Sequence, residues 1–309
     1  MSLLYWLESI RNPFFDAVVG FITHLGSEML FIVVGIFMLW CMNKKHGYFI
    51  LFTGFFGVYL NQFLKITCRV PRPWVLDPDF SIVESARAEA TGYSFPSGHT
   101  QTAVGLFGGL ALCRRETVLK IICLAICLLV PFSRMYLGVH TPLDVGVATL
   151  MAAILAIGLW YLFSKVGYTR KLMFPLLSAL SVLAVSFLLY VLLWQFPENI
   201  DNANLISARE NACTLLGALL GLWITYIFDE FVRPFDTRAS LPGQILKFVL
   251  GFAVVLVIME GSKPLFNLIF GKGDLLARTI RYFLTVLFAG VVWPLTFPFF
   301  AKIGKKKKS

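Results

Sequence analysis

A succession of apolar runs, several near or beyond the ~20 residues that cross a bilayer, constrains this chain more than any other feature. Inside hydrocarbon the backbone must satisfy its own hydrogen bonds, so such runs become helices. They lie at about 26–42, 47–65, from His99 to Arg114-Arg115, then 118–134, 142–165, 172–195, 212–232, 244–261 and 278–301. The expected fold is all-α, a polytopic transmembrane helix bundle with nine crossings. Composition agrees, with 58% hydrophobic and only 14% charged residues, where a soluble domain carries ~25% charged. Mean hydropathy is +0.78. Residues 1–24 mix Tyr5, Trp6, Glu8, Arg11, Phe14, Phe15 and Asp16, and are expected to form one or two amphipathic helices in the interface. They lack the basic start, clean apolar core and small-residue cleavage site of a signal peptide.

The net charge of +10 argues for orientation, not for nucleic acid, because the basic residues are spread through short loops. Lys44, Lys45, Arg114, Arg115, Lys165, Arg170, Lys171, Arg233 and Arg238 all fall in loops that one side of a nine-crossing bundle would share. The positive-inside rule makes that side cytosolic. The run Lys305–Lys308 then becomes a cytosolic tail beside anionic headgroups. Loops 66–98 and 135–141 face the other way. A composition shift near residue 166 suggests two parts, a core over 1–165 and a transmembrane extension over 166–309. In the extension, Gly217 and Gly221 form a GxxxG pair, a sign of close helix packing. The six cysteines are scattered, and Cys123 and Cys127, one turn apart, are expected to pack as small apolar residues.

Three polar clusters interrupt this apolar chain. They are Lys65 with Arg72-Pro73, Pro96-Ser97-Gly98-His99, and Ser133-Arg134 with His140 and Asp144. Ionisable groups in and beside membrane spans are costly, so they read as functional. Lys65, Arg72 and Arg134 supply three cations, and phosphoryl chemistry needs such donors around the non-bridging oxygens. Lys65 alone could be a lysine snorkelling from a span end, and Arg72 a solvated loop charge. Ser97 is a candidate N-cap, with Gly98 permitting close backbone approach and His99 in the first helical turn, where free N–H groups favour an anion. His140 and Asp144, four apart, share a helical face. A carboxylate on one imidazole nitrogen leaves the other free for attack. Thr141-Pro142-Leu143-Asp144 also fits a capping box, and both readings hold if Asp144 divides its oxygens between cap and imidazole.

These clusters resemble, in order and internal spacing, the three motifs of the type 2 phosphatidic acid phosphatase (PAP2) superfamily. The resemblance spans about residues 10–165, with a weaker likeness of the C-terminal part to extensions on some bacterial members. It implies that His140 is the nucleophile forming a phosphohistidine. It implies that Asp144 orients His140 and that His99 protonates the leaving group. Lys65, Arg72, Ser97, Gly98 and Arg134 would bind phosphate. It further implies a phosphatase that needs no metal or other cofactor. The substrate would be a membrane lipid phosphate or pyrophosphate such as phosphatidate, phosphatidylglycerol phosphate or undecaprenyl diphosphate. The compact design suggests a bacterial plasma membrane, with an endoplasmic reticulum protein as the alternative, and the site on the extracytoplasmic side. Transfer to a second lipid instead of water is the alternative. A vanadate-dependent haloperoxidase is disfavoured by the many spans, and a transporter by charges gathered at one face rather than at the midplane. The sequence leaves the oligomeric state open.

Overall fold

The structure, a computed structural model, describes residues 1–304, all of whose regular elements are helical. The Lys305–Lys308 run lies outside the described residues. Among the described residues, seven helices are long and apolar enough to cross a membrane: Lys44–Leu76, Thr117–Tyr136, Pro142–Lys165, Arg170–Leu193, Asn202–Val232, Leu241–Phe270 and Leu275–Phe300. An eighth crossing is available if Pro13–Gly26 and Glu28–Met42, bent by 49°, act together. Nine crossings are therefore not what the helices show. The shortfall is the expected span after His99, which is built from Gly98–Ala103, Val104–Gly108 and Gly109–Cys113. It begins on the polar residues His-Thr-Gln and stops at Arg114-Arg115, so its apolar stretch falls short of the ~20 residues of a typical span, although it carries the chain from the site end to the end where Thr117–Tyr136 begins.

The chain divides into two compact units. The first comprises Met1–Ile32, Phe49–Leu172 and Gln195–Ala208; the second comprises Val33–Tyr48, Met173–Trp194 and Arg209 onward. They are interleaved along the chain, where composition suggested one boundary near 166. Hydrogen bonds explain why residues 33–48 belong to the second unit. Trp40 Nε1 donates to Ala289 O at 3.0 Å. The Trp40 carbonyl in turn accepts from Lys247 Nζ at 2.9 Å. Within this unit Gly217 and Gly221 do pack closely. A Cβ on Gly217 would collide with the Thr279 carbonyl, and one on Gly221 would lie 3.0 Å from the Phe283 carbonyl.

In the first unit the polar clusters gather at one end of a helix bundle. Lys65 sits in the last turn of Lys44–Cys68 and Arg134 in that of Thr117–Tyr136. Ser97 and Thr141 open the helices that follow them. The N-terminal helices Ser2–Ser9 and Pro13–Thr23 brace this end. Leu4, Leu7 and Val19 pack with Phe80, Ile82, Tyr136, Leu137 and Val139 in one buried apolar cluster. Polar ties reinforce it. Arg11 Nε donates to Tyr136 O at 2.8 Å, and Arg11 Nη1 to Ser81 O at 2.7 Å. Tyr136 Oη donates to Asp16 Oδ1 at 2.9 Å. The outer faces of these helices carry exposed Trp6, Phe14 and Phe21, the amphipathic pattern expected of interfacial helices.

Candidate active site

Each of the three clusters contributes side chains to one buried polar group. His140, Asp144, Arg134 and Ser97 are each no more than 2% exposed. Lys65 and Arg72 are also buried. Burying this much polarity is tolerable only where partners are arranged, so each group's partners are informative.

The helix starts form as their sequences dictate. Ser97 caps Gly98–Ala103 through a long 3.4 Å contact from Thr100 N to its Oγ. Thr141 and Asp144 form the reciprocal capping box, with Thr141 N donating to Asp144 Oδ2 at 2.7 Å and Asp144 N to Thr141 Oγ1 at 3.3 Å. Pro142, whose missing N–H costs nothing at a first helical position, follows the cap. The two starts are joined by a bond from Ser97 N to Asp144 O at 3.1 Å. Asn61 Nδ2 supports the same loop by donating to Pro96 O at 3.3 Å. At Gly98 an added Cβ would meet only Asn61 Oδ1 at 3.9 Å, so no protein atom demands glycine there.

Asp144 serves cap and imidazole with one oxygen instead of dividing the two between them. One atom, Oδ2, accepts from Thr141 N, accepts from Ser94 Oγ at 2.6 Å, and lies 3.5 Å from His140 Nδ1. That last distance is too long for a strong hydrogen bond. Ser94 spans the gap, its Oγ 3.4 Å from the same imidazole nitrogen. Asp144 Oδ1 is buried with no hydrogen-bond partner. On the far side of the ring, Arg72 Nη1 lies 2.9 Å from His140 Nε2. A guanidinium can only donate, so Nε2 acts as acceptor and the neutral ring carries its proton on Nδ1. The ring is thus set with its Nε2 lone pair facing the cations. Burial, followed by the charges of Arg72, Arg134 and Lys65, pushes the His140 pKa well below the ordinary histidine value.

The three cations differ in how fully they are occupied. Lys65 Nζ donates to Tyr93 O at 2.5 Å. Arg72 is held by the carbonyls of Gly92, Val139 and Thr91 at 3.2, 3.0 and 2.7 Å. Arg134 makes one bond, from Nη1 to Thr23 Oγ1 at 2.7 Å. Its Nε and Nη2 are buried without partners. His99 reaches the rim, its Nε2 3.1 Å from Glu89 Oε2.

Sequence reasoning missed four residues here. Ser94 bridges His140 and Asp144, Asn61 holds the Pro96 carbonyl, Thr23 anchors Arg134, and Glu89 meets His99. None belongs to a spaced pattern, and Thr23 lies 111 positions from the arginine it holds. Chemically, the group combines unmet guanidinium donors on Arg134 with two imidazoles, one held by Arg72 and one by Glu89, the kinds of group an anion site uses.

Comparison with known proteins identifies the family. The sequence profile of the PAP2 superfamily matches residues 45–168. That of the PAP2 superfamily phosphatase transmembrane extension matches residues 213–306. Sphingosine-1-phosphate phosphatase 2 of Mus musculus is 24% identical over 275 residues, covering 81% of this chain and 73% of its own. Phosphatidylglycerophosphatase B of Bacillus subtilis is 30% identical over 151 residues, covering 44% of this chain and 69% of its own. A crystal structure of a transmembrane PAP2-type phosphatidylglycerolphosphate phosphatase from Bacillus subtilis aligns with a TM-score of 0.46 and 26% identity, covering 55% of this chain and 86% of that one. Motifs, profiles and relatives agree that the chain belongs to the PAP2 superfamily, as a membrane-embedded lipid phosphate phosphatase bearing the superfamily's transmembrane extension.

Proposed function

We propose that this protein hydrolyses a lipid phosphate monoester or pyrophosphate through a phosphohistidine, without a metal, at the extracytoplasmic face. One observation carries the reading. Arg134 is a fully buried guanidinium whose Nε and Nη2 have no partner. A buried charged donor is expensive to leave unmet, and a phosphate dianion is the ligand whose geometry the guanidinium fork fits. Lys65 and Arg72 add charge beside it.

The substrate's phosphorus lies against Arg134, within reach of His140 Nε2. As the His140 Nε2 lone pair leaves Arg72 Nη1 and bonds to phosphorus, the bond to the leaving oxygen breaks, and the freed Arg72 N–H turns to a phosphate oxygen. The leaving oxygen takes a proton from His99. The charge gained by His140 is offset by Asp144, through Ser94 and the direct Nδ1 contact. Water then attacks the phosphohistidine and gives its proton to His99, and inorganic phosphate departs. Neutrality of His140 before attack follows from its burial among cations.

The substrate class rests on the setting and on the relatives, one named for sphingosine 1-phosphate and another for phosphatidylglycerophosphate. All share a phosphate in water and a tail in lipid. The face assignment rests on the bundle. The site occupies one end, while Arg114, Arg115 and Lys165 close helices at their other ends, as the positive-inside rule places cytosolic loops.

The decisive experiment is phosphate release in detergent from a panel of phosphatidate, phosphatidylglycerol phosphate, sphingosine 1-phosphate and undecaprenyl diphosphate. Wild type should release phosphate in EDTA and form an acid-labile phosphoenzyme. His140→Ala should do neither, its rate falling by on the order of 10⁴ or more. Phosphate release by the alanine variant would end the proposal.

A further inference from the structure

Glu89 belongs to none of the three motifs, yet both of its carboxylate oxygens are engaged by imidazoles. Oε1 lies 3.3 Å from His24 Nδ1, and Oε2 lies 3.1 Å from His99 Nε2. His24 comes from the N-terminal segment, which precedes the matched PAP2 profile at 45–168. That segment is docked directly on His99. A Cβ on Gly26 would stand 2.6 Å from the His99 carbonyl oxygen, a backbone atom that cannot step aside. The His24–Gly26 turn therefore has a fixed place beside the rim histidine.

The charges around His99 make this contact consequential. Burial, followed by the charges of Arg134, Arg72, His24 and Lys65, pushes the His99 pKa down to about 2. A general acid must hold a proton before it can give one, and a cradle of cations opposes that positive charge. Glu89 is the carboxylate in contact with the ring. Resting on the reading of His99 as general acid, we propose that Glu89, steered by His24, is a positioning residue that supplies the counter-charge His99 needs to carry the leaving group's proton.

The proton balance is simple. The bond from phosphorus to the leaving oxygen breaks, that oxygen takes the proton from the His99 nitrogen that does not face Glu89, and Glu89, held against Nε2, neither gains nor loses one. The contribution grows with the basicity of the leaving group. A lipid alkoxide needs the proton as it departs; an aryloxide such as p-nitrophenolate hardly does. A residue that merely props up the loop would affect both substrates alike.

The test is kcat/KM for sphingosine 1-phosphate and for p-nitrophenyl phosphate, across pH, in wild type, Glu89→Gln, Glu89→Asp, His24→Gln and His140→Ala. Glu89→Gln should lose roughly 10–100-fold more on the alkyl than on the aryl substrate, a share of the ~10²–10⁴ a general acid supplies. Its alkaline limb should move to lower pH, because His99 gives up its proton sooner. Glu89→Asp, which keeps the charge, should recover part of the loss, and His24→Gln should show the same pattern more weakly. Equal losses on both substrates, or no loss, would overturn the role given to Glu89 while leaving the phosphohistidine reading intact. Full turnover by His140→Ala would instead remove the reading on which it rests.

Discussion

Both compact units bury cations, and they treat them differently. In the second unit Lys247 is 1% exposed, yet its Nζ donates to the carbonyls of Trp40 and Thr237, each at 2.9 Å, and sits 4.5 Å from the Phe297 ring centre. Lys44 in the same unit meets Asp229 at 2.5 Å and the Phe235 ring at 3.9 Å. These cations are consumed by the fold. In the first unit Arg134 is equally buried and keeps Nε and Nη2 free of protein partners. Burial of charge alone therefore does not mark a site. Arg134 differs in keeping two of its three nitrogens unspent, so nothing within the fold recovers their desolvation cost.

The sharpest break of this comparison is a pair of substitutions. Arg134→Gln should lower kcat/KM for lipid phosphate by about 10²–10³, or ~3–4 kcal/mol of transition-state stabilisation. Lys247→Met should leave kcat/KM unchanged and lower the melting temperature in detergent, since two buried carbonyls lose a donor at about 1–3 kcal/mol. A turnover defect in Lys247→Met matching that of Arg134→Gln would erase the distinction between spent and unspent cations.

Next in size is Ser94→Ala. Ser94 bridges Asp144 Oδ2 and His140 Nδ1, at 2.6 and 3.4 Å, where the direct pair is 3.5 Å apart. Its loss weakens the path by which carboxylate charge reaches the imidazole. The expected drop is about 1.5 kcal/mol, on the order of tenfold in kcat/KM, and slower formation of phosphoenzyme in rapid quench is the signature. Unchanged phosphorylation kinetics would mean that the 3.5 Å contact suffices.

The cations also set a pH dependence. Burial and three positive neighbours hold the His140 pKa well below its ordinary value near 6.5. Protonation of this ring is thus favoured in the unfolded chain and resisted in the native one. Stability from this group is complete above about pH 6.5 and is lost as pH falls below it, by at most ~1.4 kcal/mol per unit. In ¹⁵N-histidine spectra, the resonance absent from His140→Gln should remain that of a neutral ring at pH 6. A midpoint near 6.5 would contradict the cation-lined burial.

Much of the site was legible because its residues recur at fixed short spacings on helix ends. Ser97 caps a helix, Thr141 and Asp144 form a capping box, and His140 stands four residues before Asp144. Span positions were readable for the same reason, since hydrophobic length is a local property. The short helix after His99 shows the limit. Its apolar stretch looked like a full-length span until the polar first turn and the Arg114-Arg115 stop were taken out of its length. Ser94, Glu89 and Thr23 were illegible because each acts across the fold from a segment with no pattern of its own. The N-terminal helices were read as interfacial from their aromatic face; that their other face clasps loop 66–98 and Arg134 depends on tertiary contacts that periodicity does not encode.

The smallest predicted effect tests that last contact. Thr23 Oγ1 accepts the one hydrogen bond that Arg134 makes, at 2.7 Å. It directs the guanidinium without using the donors left for phosphate. Thr23→Val keeps the shape and removes the acceptor, so Arg134 stays buried but loses its orientation. The expected cost is about 0.7 kcal/mol, roughly threefold in kcat/KM, because the partner is neutral and packing still confines the side chain. Thr23→Ser, which restores the hydroxyl, should restore the rate, and inhibition by vanadate should weaken in the valine variant in the same proportion. A loss as large as that of Arg134→Gln would mean that Thr23 does more than aim the arginine. No change in either rate or vanadate inhibition would place the N-terminal segment outside the phosphate site altogether.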